Sequence, residues 1–255
     1  MKHTKSELAE NLQLEAYPRS AGYDLEWVLE NQMGPNVLWL AESLSQKIDL
    51  APNMRVLDMG CGKAISSIFL AKEFGVQVWA TDLWVKPTEN WQRIKEAEVE
   101  DRVYPIHAEA HDLPYADEFF DALISLDAYH YFGTDDLYLG WYYSKLVKPG
   151  GQIGIVVPGL VNEFDRGLPD HLQPFWDWEL WSFHNPDWWR THWEKSAKVT
   201  VDLADMIPDG WQQWLLWEET KINRGISDFP EEANMLRVDA GRNLGFVRMV
   251  ARRKG

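Results

Sequence analysis

Short apolar runs that end at glycine or at an acid alternate with amphipathic stretches through the middle of the chain, and the alternation predicts strands and helices in turn. Residues 54–59, 76–81, 102–107, 121–126 and 152–157 read as five strands, the third weakened by Pro105. Residues 64–74, 87–99 and 134–147 read as the intervening helices. Thr134 is the expected N-cap of the last, with Asp135 and Asp136 in its first turn and Pro149-Gly150-Gly151 beyond its end. Strands and helices in this rhythm imply a parallel sheet covered by helices.

Elsewhere the rhythm breaks. Residues 158–209 hold Trp176, Trp178, Trp181, Trp188, Trp189 and Trp193 among His171, His184, His192 and several acids, and read as an insertion or lid. Residues 211–222 and 243–252 read as two long strands joined by a mobile connection, closing the sheet as an antiparallel pair. Residues 1–53 read as an N-terminal cap with an amphipathic helix at 37–48, preceded by Tyr17, Tyr23 and Trp27. The expected architecture is one α/β domain around a doubly wound, mostly parallel seven-stranded sheet. The cap spans 1–53, the ligand-binding core 54–157, the insertion 158–209 and the terminal strands 210–255.

Composition narrows the partners. With 25 basic and 40 acidic side chains the net charge is −15, which repels nucleic-acid phosphates unless basic residues cluster. The densest cluster is Arg248, Arg252, Arg253 and Lys254 at the end of the chain. The expected partner is a small neutral or cationic molecule, with no nucleic acid. One cysteine, a polar start and no apolar run long enough for a membrane span point to the cytoplasm. Oligomeric state stays open.

The densest chemical signal is Val56-Leu57-Asp58-Met59-Gly60-Cys61-Gly62-Lys63-Ala64, a strand running through Gly-x-Gly into a helix. Glycines allow a sharp turn and close ligand approach beside the N–H groups of the helix start. The dinucleotide fingerprint wants Gly or Ala where Ile65 stands, which weakens an NAD-dependent oxidoreductase reading, and no Gly-Lys-Ser/Thr phosphate loop occurs. Acids follow the strands instead: Asp58 before the glycines, Asp82 at the end of the second strand, and Glu109 in Ala108-Glu109-Ala110-His111-Asp112-Leu113-Pro114. Carboxylates here repel a pyrophosphate but suit a ligand with an amino group, a ribose diol and an exocyclic amine.

On these residues, together with the Phe120–Phe132 segment FDALISLDAYHYF and the segment LVKPGGQIGI, the chain resembles the class I S-adenosylmethionine-dependent methyltransferases across about two-fifths of its length. The resemblance implies a Rossmann-like methyltransferase fold, S-adenosyl-L-methionine as cofactor, and methyl transfer to a small-molecule acceptor. It places the methionine amino group at Asp58, often through water, and the glycine turn at Gly60 and Gly62. It places the ribose hydroxyls at Asp82 beside Leu83, the adenine at Glu109 and Ala110, and the methionine end near Leu126. Ala64 departs from the third glycine common in the family, and Glu109 from its usual Asp.

His130, in Asp127-Ala128-Tyr129-His130-Tyr131-Phe132 just past the fourth strand, is the candidate catalytic base, or else a packing histidine. The six insertion tryptophans either fasten a lid or form a cage for a cationic amine or aromatic acceptor, with Asp165, Asp170 and Asp177 as supplements. Cys61 reads as buried filler. No metal site is expected, because His184 and His192 lack a ligand-spacing motif. A non-catalytic S-adenosylmethionine-binding module stays open as an alternative.

Overall fold

The computed structural model describes residues 12–227 and 230–255, so the polar start and the first part of the cap lie outside the described residues. Seven strands form one sheet: β1 (Arg55–Met59), β2 (Gln77–Asp82), β3 (Val103–His107), β4 (Phe120–Leu126), β5 (Val147–Leu160), β6 (Val199–Met206) and β7 (Leu244–Arg253). Their order is β3-β2-β1-β4-β5-β7-β6. β1 to β5 pair in parallel, and β7 runs antiparallel to both β5 and β6. The strand order reverses between β1 and β4, which opens a crevice at their carboxyl ends where such sheets bind ligands.

The helices that flank the sheet begin with α1 (Leu25–Asn31), α2 (Val37–Ser45), α3 (Ile65–Phe74) and α4 (Pro87–Glu96). Asp24 caps α1 by accepting from the Glu26 amide, and Asn36 caps α2 by accepting from the Leu38 amide at 3.1 Å. α3 ends on Gly75 in the left-handed conformation.

Four expectations are corrected. Residues 211–222 are not a strand but most of a helix, α6 (Gly210–Asn223), after α5 (Pro186–Lys195) in the insertion. Its buried positions Trp214, Trp217, Glu218 and Lys221 recur at three and four residues, the helical period, which its many large aromatics disguised as a strand. The connection expected to be mobile carries α7 (Glu231–Asp239). The sixth strand is β6, inside the stretch read as insertion. Residues 134–137 are turns, and Thr134 caps no helix: a π-helical stretch, Tyr138–Tyr143, precedes one α turn, Ser144–Leu146. Pro149-Gly150-Gly151 belongs to β5, where Gly150 takes φ +78°.

Apolar side chains cover both faces of the sheet. On one face α2 and α3 pack with Trp217 and Phe246. On the other, Tyr129, Tyr138, Tyr143, Trp189 and Trp193 form a buried aromatic layer.

Candidate active site

The crevice begins at the turn after β1. Gly60 and Gly62 take φ of +74° and +52°, and a Cβ on Gly62 would stand 2.8 Å from Met33 Sδ. Amides of Gly60 and Cys61 donate to the Thr81 carbonyl, which ties the turn to β2. Asp82 holds the turn from below: its Oδ2 accepts from the Gly62 amide at 2.8 Å, and its Oδ1 accepts from the amides of Trp84 (2.7 Å) and Val85 (2.9 Å). A carboxylate has about four lone-pair sites, so one more acceptor position remains on Oδ2.

A cavity of about 330 Å³ opens over this turn, lined by Gly60, Gly62, Asp82, Leu83, Ala110 and Leu126, with Glu109 and Ile65 also in its wall. Glu109 turns both oxygens toward His111, accepting from its amide at 2.8 Å and lying 2.9 Å from Nδ1. That contact holds the Glu109 carboxyl below its usual range. Cys61 is buried and burial pushes its thiol up, so the thiolate needed for nucleophilic work is suppressed.

A second cavity of about 360 Å³ adjoins the first, and Met33, Gly34, Pro35, Asp127 and Tyr131 belong to the walls of both. Asp127 caps the end of β4 at φ +55°. No hydrogen bond to its carboxylate is found among the described residues. Burial and the charges of Glu232 and Glu218 push its carboxyl well above the ordinary range, against the pull of Lys221. Glu232 accepts from Trp214 Nε1 at 2.7 Å. Lys221 lies 2.6 Å from Glu218 and donates to the Gly34 carbonyl, which also receives Trp217 Nε1 at 3.0 Å. Helix α6 thereby fastens the α1–α2 loop over the junction of the cavities.

Residues 56–151 match the family described as a methyltransferase domain. That stretch, about two-fifths of the chain, carries a methyltransferase domain of the class I S-adenosylmethionine-dependent type. The chain is 30% identical to 27-O-demethylrifamycin SV methyltransferase of Amycolatopsis mediterranei (strain S699), over 46% of this chain and 43% of that protein. It is 25% identical to glycine/sarcosine/dimethylglycine N-methyltransferase of Actinopolyspora halophila, over 65% of this chain and 29% of that protein. The chain thus spans less than half the length of these curated relatives. Geranyl diphosphate C-methyltransferase of Streptomyces coelicolor A3(2), solved with Mg2+, geranyl-S-thiolodiphosphate and S-adenosyl-L-homocysteine, shares the fold at TM-score 0.66 and 16% identity, covering 99% of both chains.

The structure places the residues expected from sequence at different depths. Asp58 is fully buried and lies behind the turn, outside the cavity wall: its Oδ2 accepts from Ser66 and Ser67 hydroxyls, both at 2.6 Å, and its Oδ1 has no partner. Burial pushes it up to about 6. Its hydroxyl partners tie it to the start of α3, and its free Oδ1 leaves room for a contact through water. His130 lines the second cavity, not the first, and is 2% exposed. Burial pushes its imidazole down to about 3, so it is neutral at physiological pH and a weak proton acceptor there.

The six insertion tryptophans form no cage. Trp189 and Trp193 are buried against Tyr129, Trp188 stacks between His184 and His192, and Trp178 and Trp181 are 74% and 59% exposed. None of the six lines either cavity, and of the three expected acids only Asp177 does. The aromatic wall of the second cavity is Tyr131, Phe175, Phe183 and Trp214 instead. Sequence reasoning missed Asp127, although its place at the carboxyl edge of β4 was a usable signal. It missed Gly34, Trp214 and Glu232 because only tertiary folding brings their segments to the crevice.

Proposed function

We propose that this protein transfers a methyl group from S-adenosylmethionine, held in the first cavity, to the nitrogen of a small amine held in the second. The observation that carries this reading is the shared wall: two cavities of similar size meet at Asp127, and the second is lined by carboxylates and aromatic faces, with no lysine or arginine among the described residues. Aromatic faces and carboxylates both attract an ammonium.

The donor fits the residues present. Gly60 and Gly62 leave the backbone open to close approach, Asp82 keeps an acceptor position for a ribose hydroxyl, and Ala110 and Glu109 stand where an adenine edge would lie, with Leu83 and Leu126 as apolar walls. The orphaned Oδ1 of Asp58 would take a bridging water from the methionine amino group. Bound S-adenosylmethionine supplies a methyl carbon already activated by a sulfonium leaving group. The chain's work is then to hold the acceptor nitrogen in line with that carbon and to exclude water. The acceptor would have to reach that carbon as a free amine, and Asp127, in the wall shared by the two cavities, would take its ammonium proton and pass it to solvent. His130, neutral and with its Nδ1 buried and unpartnered, would form part of the acceptor wall rather than act as the base.

Calorimetry with S-adenosylmethionine, S-adenosylhomocysteine and NAD, followed by mass spectrometry of an amine panel for a one-methylene gain, tests the reading. Binding of the first two, no binding of NAD, and methylated amines are expected. Methylation of neutral phenols with no reaction on amines would overturn the amine assignment.

A further inference from the structure

The carboxylates of the second cavity differ in depth. Asp127 and Glu232 are half-buried, beside the wall shared with the donor cavity or tied to α6, whereas Asp177, Glu179 and Glu231 are exposed at the mouth. Two groups behave as though prepared for a guest, apart from the number of acids. His130 is almost fully buried, lines this cavity, and has no partner for Nδ1. The Asp127 carboxylate, in the same wall, likewise has no hydrogen-bond partner among the described residues.

We infer that the acceptor is a short alkyl diamine, whose reacting nitrogen sits by Asp127 and Glu232 and whose second ammonium is held at the mouth by Asp177, Glu179 and Glu231. The inference rests on the amine reading above and sharpens it. An amino acid or a phosphorylated amine would bring an anion into a cavity with no lysine or arginine liner among the described residues. Lys221, on α6, is spent on Glu218 and the Gly34 carbonyl. A diphosphate meets the same obstacle. Nor do the acids converge on a single divalent ion, since no group of three or more metal-ligating side chains is found among the described residues. Separated carboxylates at two depths match separated positive charges. Asp177 is partly committed, its Oδ1 accepting from the Trp178 amide at 2.6 Å, but Glu179 and Glu231 have no hydrogen-bonding partner for their side chains among the described residues.

The test uses the full chain with saturating S-adenosylmethionine and three acceptors of equal chain length: putrescine, the amino alcohol in which one amine is replaced by hydroxyl, and the amino acid in which it is replaced by carboxylate. Release of S-adenosylhomocysteine gives kcat/KM for each. Putrescine is expected to exceed the amino alcohol by about tenfold and the amino acid by more. The double variant Asp177→Asn, Glu231→Gln should lower kcat/KM for putrescine by about tenfold and leave the amino alcohol unchanged. These rim positions are exposed, so folding is preserved, and a thermal melt confirms it. Turnover of the amino acid equal to or above that of putrescine overturns the diamine inference while leaving amine methylation standing. Equal losses for putrescine and the amino alcohol in the variant also overturn it. No turnover of any of the three, with S-adenosylmethionine bound by calorimetry, overturns the inference and the amine reading together.

Discussion

A Cβ added to Gly34 would stand 2.5 Å from Oδ2 of Asp127. This approach joins the α1–α2 loop to the end of β4, two segments far apart in sequence, at the boundary between the cavities. It is possible only because residue 34 has no side chain, and because Trp217 and Lys221 hold its carbonyl from the other side. Methyl transfer is sensitive to the distance between nucleophile and methyl carbon, so this contact is where a small displacement should show.

Gly34→Ala is expected to displace the Asp127 carboxylate or lift the loop. Residue 34 does not need a left-handed backbone, so the variant should fold. With an amine acceptor, kcat/KM should fall by on the order of tenfold or more, with a smaller loss of S-adenosylhomocysteine affinity. Steady-state kinetics beside calorimetry check the split, and equal losses in both would count against a role at the junction.

Asp82→Ala removes the acceptor for the Gly62, Trp84 and Val85 amides as well as the ribose contact proposed above. Cofactor affinity should weaken by about 1–3 kcal/mol. Titration with S-adenosylhomocysteine reads this directly, and an unchanged dissociation constant would take Asp82 out of the binding site.

The insertion tryptophans divide by burial. Trp193 is fully buried against Tyr129, so Trp193→Ala should cost about 3–5 kcal/mol of stability. Trp178 is largely exposed, so Trp178→Ala should stay within about 0.5 kcal/mol. Urea unfolding of the two variants distinguishes structural fastening from an exposed surface ring.

Acid should weaken the fold through His130. Its folded pKa of about 3 lies below the ordinary value of 6.5, so the unfolded chain takes up the proton first as pH falls. The stabilisation is present above about 6.5 and is lost toward pH 3, at up to about 1.4 kcal/mol per pH unit. Glu218 acts with the opposite sign. Burial and Glu232 raise it to about 7, so its contribution is present below the ordinary 4.5 and lost as pH rises through about 7. That contribution is common to wild type and His130→Gln, so the difference between them isolates His130. Wild type should lose more stability than the variant between pH 7 and pH 4.5 in paired urea titrations, and parallel losses would mean the imidazole titrates normally.

The parallel core was readable because its determinants are local. Each strand from β1 to β4 is a short apolar run with its ends marked by glycine, acid or proline, and the turn at Gly60 and Gly62 carries its own backbone signature. The same locality brought Gly60, Gly62, Asp82 and Ala110 to one crevice, since strands in parallel order present their carboxyl ends on one edge. Helix α6 was misread because its aromatics satisfy the strand preference about as well as the helical period does. Asp58 and His130 stood in the right segments, but burial is a property of the packed chain, and packing turned Asp58 toward Ser66 and Ser67 and deprived His130 of basicity.

Sequence alone therefore determined the parallel part of the sheet, the glycine turn and the kind of ligand that turn accommodates, because neighbouring residues encode backbone conformation and strand ends. Tertiary structure alone decided the second cavity. Gly34, Asp127, Trp214 and Glu232 come from four separate segments, and their meeting depends on hydrogen bonds and buried contacts between parts of the chain that no local pattern connects.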